Sequence, residues 1–422
     1  MRVAIVGGGW SGLACAERLL SARRSVSVDL FEAAPQLGGR ARGLDWGEEA
    51  VPLDAGQHLL IAAYTETLAL LTRAGAMRPD RWQTDWLRWV SHEGPQRASL
   101  GSLLVEGLFA LNSLMRAPDP GLTVQAWLTR AHCDPRLIHC LLRPLAESAL
   151  NTDWSEASAG CLHQVLRDAL RAGPWSLRTL HPRQNLSRDG IDPLAAHLHG
   201  LGLQVSLRTR VTALTPCSAG GWQLYCAAER ATKAYDQVVL ALPDGSAQRV
   251  LGTHGQSPAS SMRAIGSLFL RIPPARARAP VGEIHCFLPE TETDAPVIGL
   301  ARPSGPWGQV ISLVVSALPD DRDQQEAAEA RAWTAAESWL RELGMPRSAL
   351  LGWRWMVDRR ATWAATPAAL AGQPRRSAMR DLGGGLWHCS DALVAGYPAT
   401  IESAVRSGRA AAAAVLALKE TV

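Results

Sequence analysis

Gly7, Gly9 and Gly12 stand between a short apolar run, VAIV at 3–6, and a helix-forming stretch, LACAERLLSA at 13–22. A second apolar alternation, SVSVDLFE at 25–32, follows and ends in Glu32. Few folds accommodate this arrangement. The run at 3–6 suits a strand buried on both faces, which requires a parallel sheet with helices packed over it. G-x-G-x-x-G between such a strand and a helix predicts a dinucleotide-binding β-loop-α-β unit. The first glycine permits the tight turn, the second lets backbone approach a diphosphate, and the third packs helix on strand. The diphosphate then rests on the helix N-terminus, where Trp10 and Ser11 lie. A carboxylate about 20 residues on, here Glu32, accepts the ribose hydroxyls. A plain glycine turn would leave the placement of Glu32 unexplained.

The rest of the chain predicts two interleaved domains. At 422 residues it exceeds what a single core usually serves. From 59 to about 175 the apolar pattern is mainly helical, broken by Pro and Gly. Strands are expected again over 203–216, 221–229, 235–243 and 261–316, with a loop around PETETDAP. Helices are expected over 324–343 and 400–418, with a strand at LLGWRWMV between them. The order suggests a discontinuous nucleotide domain from 1–64, 180–255 and 375–422. A substrate domain with a helical insert would take 65–179 and 256–374.

Composition narrows the partners. The net charge of +4 is spread without long basic blocks, so nucleic acid is not expected. Eight cysteines are scattered without a C-x-x-C pair, which supports neither metal ligation nor a disulfide framework. MRVAIVGGGWSG runs directly into the glycine loop, so a cytoplasmic protein without a signal peptide is expected. The longest apolar run, 102–115, is interrupted by Glu106 and Asn112 and falls short of the ~20 residues that span a bilayer. Of the 43 basic residues, only Lys233 and Lys419 are lysines.

Which dinucleotide is bound is indicated by two further stretches. Gly38-Gly39-Arg40-Ala41-Arg42 follows Glu32 after five residues, and LWHCSDALVAGYPATIESAVRSGRAAAAAV closes the chain. Both resemble motifs of the FAD-containing amine-oxidase and carotenoid-desaturase superfamily. The resemblance implies a Rossmann-like FAD-binding domain of the glutathione reductase type, interleaved with an α+β substrate domain. It places Gly39 and Arg40 at the diphosphate and Asp391 on the ribityl chain. The helix beginning at Thr400 and Ile401 would point at the flavin, and Val211 would meet the adenine through its backbone. Ser390 and Ser403 stand where that superfamily usually has glycine.

Within the superfamily the chain is similar to the hydroxysqualene dehydroxylases, also described as squalene-associated FAD-dependent desaturases. The matching stretches are GGRAR, LDAGQHLLIAAYTETLALL, RPLAESALNTDWSEASA, RRATWAATPA and GYPATIESAVRSG. The resemblance implies reduction of hydroxysqualene to squalene within squalene and hopanoid biosynthesis. Hydride would pass from reduced flavin to an allylic carbon as water is lost. Oxidative desaturation of squalene or a carotenoid precursor would use the same cofactor. A non-catalytic flavin-containing partner of terpenoid enzymes is disfavoured by two complete FAD ends. Amine oxidation is disfavoured because neither lysine is placed to stand beside the flavin.

The resemblance also sets LDAGQH beside the flavin, with Gly56 giving the ring room. His58 and Asp54 are then the catalytic candidates. Gln57 and His58 would bond flavin or backbone, or His58 would protonate the departing hydroxyl, with Asp54 orienting it. Cofactor contact is the weightier role. Glu147 and Asp153 are expected at helix ends or the surface. Arg359 and Arg360 would cap the channel or lie in solvent. Trp82, Trp86 and Trp89 share helical spacing, which by default means core packing. An insoluble isoprenoid substrate implies peripheral membrane contact through 82–115. Since the chain has one dinucleotide fingerprint, an external electron donor is expected.

Overall fold

The computed structural model describes residues 1–22, 25–56, 58–93, 96–99, 116–171, 173–227, 230–253, 262–289, 291, 294–318, 321–371 and 378–418. Gln57, the run at 102–115 and Lys419 lie outside them.

A six-stranded sheet forms the cofactor end. In spatial order its strands are Gln204–Ser206, Ser27–Phe31, Arg2–Val6, Gln237–Leu240, Leu386–His388 and Arg380–Gly383. All pairings are parallel except the last. Val3, Ala4 and Ile5 are fully buried, as a strand covered on both faces demands. On one face the helix Trp10–Leu20 packs beside the closing helix Ile401–Ala417.

The run 203–216 divides in two. Gln204–Ser206 extends the parallel sheet, and Arg208 then turns the chain with φ at +53°. Val211–Pro216 starts a separate antiparallel sheet with Trp222–Cys226 and Arg230–Tyr235. The turn is held by main-chain bonds from Arg208 to Ala34 and from Thr209 to Glu32. Apolar alternation continues across the turn, which is why the two strands read as one.

The part of the chain expected to take the substrate is built on a seven-stranded sheet. Its order is Gly352–Trp363, Met262–Ile272, Gln309–Leu318, Val297–Ala301, Glu283–Phe287, Arg88–Glu93 and Gln96–Ser99. The helix Arg322–Glu342 covers one face through Ala328, Ala332, Ala335, Ala336 and Trp339. Insert helices between Val124 and Arg171 lie against the other face, around Trp89, Cys286, Ile298 and Trp363.

The helical pattern expected from 59 to 175 fails between 82 and 99. Trp82–Trp86 pairs with Arg178–Pro182, and Arg88–Glu93 runs parallel to Glu283–Phe287. Trp82 and Trp86 therefore share one strand, whereas Trp89 belongs to the next. Trp82 and Trp89 are buried, but Trp86 is 49% exposed and lies against Trp175 with ring centroids 5.5 Å apart. Spacings of four and seven fit a helix face, yet aromatic residues flanked by Thr and Val also suit strands. Distant sheet edges decided the outcome.

The two helices over the sheet meet through glycine. A Cβ on Gly408 would lie 2.0 Å from the carbonyl oxygen of Ser11, so backbone touches backbone there. Gly408→Ala is expected to destabilise the protein by about 2 kcal/mol or more, because a backbone neighbour cannot rotate away. Chemical denaturation midpoints of the two proteins check this.

Candidate active site

Glycine also sets the geometry at the head of the first helix. Gly7 has φ +110°, and a Cβ there would lie 2.3 Å from the Ala241 oxygen. A Cβ on Gly12 would meet the Gly7 oxygen at 2.0 Å. Gly9 differs: its nearest neighbour would be Gly39 Cα at 3.7 Å, so the loop surface is open. Gly9 caps Trp10–Leu20 without any side-chain hydrogen bond, and the first turn carries no acid. The unpaired amides of that turn can therefore receive an anion.

The Gly38-Gly39-Arg40 loop lies directly on this one. Gly38 donates its amide to Gly8 at 2.9 Å, and Trp10 Nε1 reaches the Ala41 carbonyl at 2.9 Å. Ser11 is buried and hydrogen-bonds the Cys389 thiol. Glu32 accepts amides from Gly8 and Ala34, both at 2.7 Å. A cavity of about 410 Å³ opens at this end, lined among others by Gly7, Glu32, Arg210, Val211 and Arg249. The structure thus brings Gly7, Glu32 and Val211 to one cavity.

The closing segment meets the same loops. Arg40 donates to Asp391 Oδ1 at 2.5 Å and to the Ala361 carbonyl at 2.9 Å, joining three distant stretches. Thr400 caps Ile401–Ala417 in a reciprocal capping box with Ser403. Ser403 therefore has a local task that glycine could not perform. Ile401 is buried beside it. The fully buried Glu402 accepts amides from Glu66 and Thr67 at 3.1 and 2.9 Å, capping the helix Thr65–Arg73. No sequence pattern marks that last interaction, since its partners lie over 330 positions apart.

LDAGQH emerges from the strand Val51–Asp54. Both Asp54 oxygens are engaged: Oδ1 accepts the Leu186 amide at 2.7 Å, and Oδ2 pairs with Arg302 at 2.9 Å. Asp54 is thus an anchor for the turn, whereas orientation of His58 was expected. Gly56 takes φ +77°, a conformation that favours glycine. A Cβ on it would lie 4.0 Å from His58 Nε2. That nitrogen is buried with no hydrogen-bond partner. Burial pushes the His58 pKa below its ordinary value, partly opposed by Asp54 and an N–H bond to the Ala55 carbonyl. The N–H of His58 is thus committed to Ala55, which leaves Nε2 to accept.

Glu147 departs from expectation. It is buried at 1% exposure rather than placed at a surface or helix end, and Arg143 bonds it at 2.9 Å. Burial raises its pKa to about 7. Asp153 holds its own turn through the Ser155 amide. Arg359 and Arg360 are exposed, and Lys233 is 65% exposed, 3.6 Å from Asp29.

His92, His285 and Glu342 gather under the helix Arg322–Glu342, on the sheet face away from the insert helices. His92 Nε2 and His285 Nδ1 are 2.9 Å apart, with ring centroids at 5.2 Å and planes 21° apart. The two nitrogens lie at hydrogen-bond distance, so one ring donates to the other.

Comparison with known proteins identifies the family. The family model described as flavin containing amine oxidoreductase matches residues 116–416, and that of an NAD(P)-binding Rossmann-like domain matches 5–74. A hydroxysqualene dehydroxylase of Rhodopseudomonas palustris is 31% identical over 440 aligned positions, covering 98% of each chain. The chain belongs to the hydroxysqualene dehydroxylase family. Another member, from Sinorhizobium fredii, is 28% identical over 99% of each chain. An oxidoreductase of Methanosarcina mazei has the same fold, with a TM-score of 0.73 over all of both chains at 14% identity. As a member of this family the chain is a flavin-dependent oxidoreductase. No helix among its described residues is long and apolar enough to cross a membrane.

Arg40→Met is expected to weaken flavin retention by on the order of tenfold, because it leaves Asp391 buried without its charge partner. The ratio of flavin to protein absorbance after desalting measures the loss.

Proposed function

We propose that the chain binds FAD and reductively removes the hydroxyl of hydroxysqualene to give squalene. The observation that carries this reading is the full-length likeness to the hydroxysqualene dehydroxylase of R. palustris. The residues present suit the cofactor. The uncapped turn after Gly9, with Gly7, Gly12 and Gly39 beside it, would hold the diphosphate. Glu32 would take the ribose and the Val211 backbone the adenine, since both line the cavity. Arg40 and Asp391 would meet the diphosphate and ribityl chain, and the helix starting at Thr400 and Ile401 would face the ring with its positive end. Fully reduced flavin would supply a hydride and a proton when bound, so that the hydroxyl leaves as water, and an external donor would restore its electrons.

The protein's own residues do the rest. An allylic carbon that loses hydroxide needs a site from which water is excluded. The apolar cluster of Trp89, Cys286, Ile298 and Trp363 under the insert helices supplies such surroundings for an isoprenoid chain. His58, whose Nε2 is buried without a partner and whose charged form is disfavoured by burial, is suited to accept a hydrogen bond from cofactor or substrate hydroxyl. Asp54 holds the turn that presents it. Trp86 and Trp175, 49% and 64% exposed, with the Arg178 guanidinium 5.9 Å from the Trp86 ring centre, have the aromatic and cationic character of a bilayer contact.

Anaerobic incubation of holoenzyme with hydroxysqualene and a chemical reductant of the flavin is expected to yield squalene. Consumption of squalene under oxidising conditions, with no reductive product, would instead establish a desaturase. In liposome flotation, wild type is expected to float with anionic vesicles and Trp86→Ser/Trp175→Ser to remain behind. Equal behaviour of the two proteins would remove this patch from any membrane role.

A further inference from the structure

Arg302 follows the strand Val297–Ala301 of the substrate sheet and reaches across to the cofactor end. Its backbone is pinned on both sides: the amide bonds Val310 at 2.9 Å, and the carbonyl accepts Gln309 Nε2 at 3.0 Å. The guanidinium is 12% exposed. It pairs with Asp54 at 2.9 Å and donates to the Gln184 carbonyl. Two residues on, the Leu186 amide holds the other Asp54 oxygen at 2.7 Å. One planar fork thus ties three separate stretches at the root of the Gly56–His58 turn. The planar fork reaches carboxylate and carbonyl at once.

The cation also acts on its buried neighbours. His181 is pushed down to about 4 and Asp189 up to about 6, chiefly by burial, and Arg302 acts on both. The charged groups facing His58 are Asp54, Asp358 from the strand Gly352–Trp363, and Arg302. The two acids favour a charged imidazole, while Arg302 and burial oppose it. The pairing of Asp54 with Arg302 sets a cation against the acid that acts most on His58.

We propose that Arg302 is the positioning residue of the turn beside the flavin: it clamps Asp54 and thereby holds His58 as a hydrogen-bond acceptor. This rests on the reading that Gly56–His58 flanks the cofactor. Without Arg302, Asp54 would be a buried, uncompensated carboxylate. His58 would then take up a proton at a pH where the native protein does not.

The test is a pH titration of the visible spectrum of oxidised holoenzyme, run from about pH 5 to 9, where histidine titrates. In Arg302→Met the spectral transition is expected about one pH unit or more above that of wild type. It should vanish in Arg302→Met/His58→Gln, while Arg302→Lys, which keeps the charge, should stay near wild type. Asp54→Asn should shift the transition to lower pH, and it decides the matter if Arg302→Met does not retain flavin. An unchanged midpoint in Arg302→Met, or in Asp54→Asn where that variant decides, would overturn the role of Arg302 even if His58→Gln alters the spectrum. If His58→Gln leaves the flavin spectrum unchanged at every pH, the turn does not face the cofactor, and both readings fall.

Discussion

At the head of the helix Trp10–Leu20, backbone lies against backbone on three sides. Gly12 rests on the Gly7 carbonyl, Gly7 on Ala241, and Gly408 of the closing helix on the Ser11 carbonyl. A side chain at any of these points would separate the elements by more than a methyl group's width. The first helical turn stays uncapped because its N-terminus opens onto a loop of glycines, and an uncapped turn carries the partial positive charge that a diphosphate needs. The remaining elements bring polar groups to that end: Glu32 from one strand, Arg40 from the following loop, and Asp391 from the far end of the chain.

Arginine joins the parts. Arg40 links the glycine loops to Asp391 and Ala361, and Arg302 links the substrate sheet to Asp54 and Gln184. Arg143, paired with Glu147 on its own insert helix, links that helix to the Asp294 carbonyl. Each guanidinium donates to a carboxylate and to a main-chain carbonyl at once, which its planar fork permits and an ammonium does less well. A chain with almost no lysine is suited to an interleaved fold, because distant segments must be locked without a covalent link.

Local patterns were legible wherever the interactions were local. The strand–loop–helix–strand at the N-terminus, the helix over 322–342 and the closing helix were all readable from periodicity and caps. The reading failed where partners were remote. Trp82, Trp86 and Trp89 fit a helix by spacing, yet the edge of Glu283–Phe287 drew Arg88–Glu93 into a sheet. Glu147 looked like a surface acid because nothing near it in sequence announces burial. Arg302 sits in ARPSG, which carries no motif, and its role appears only when Asp54 is brought within 2.9 Å.

The sequence by itself determined the cofactor class and the family. Glycines at fixed spacing, an acid about 20 residues on and GGR after it are local demands of backbone approach and charge. Tertiary structure decided what LDAGQH does. Asp54 and His58 are four residues apart and could have formed a pair. Asp54 pairs instead with Arg302 from the end of another strand, and His58 has its charged form disfavoured chiefly by burial. A carboxylate's role is set by which cation comes nearest in space, and sequence spacing carries no record of that distance.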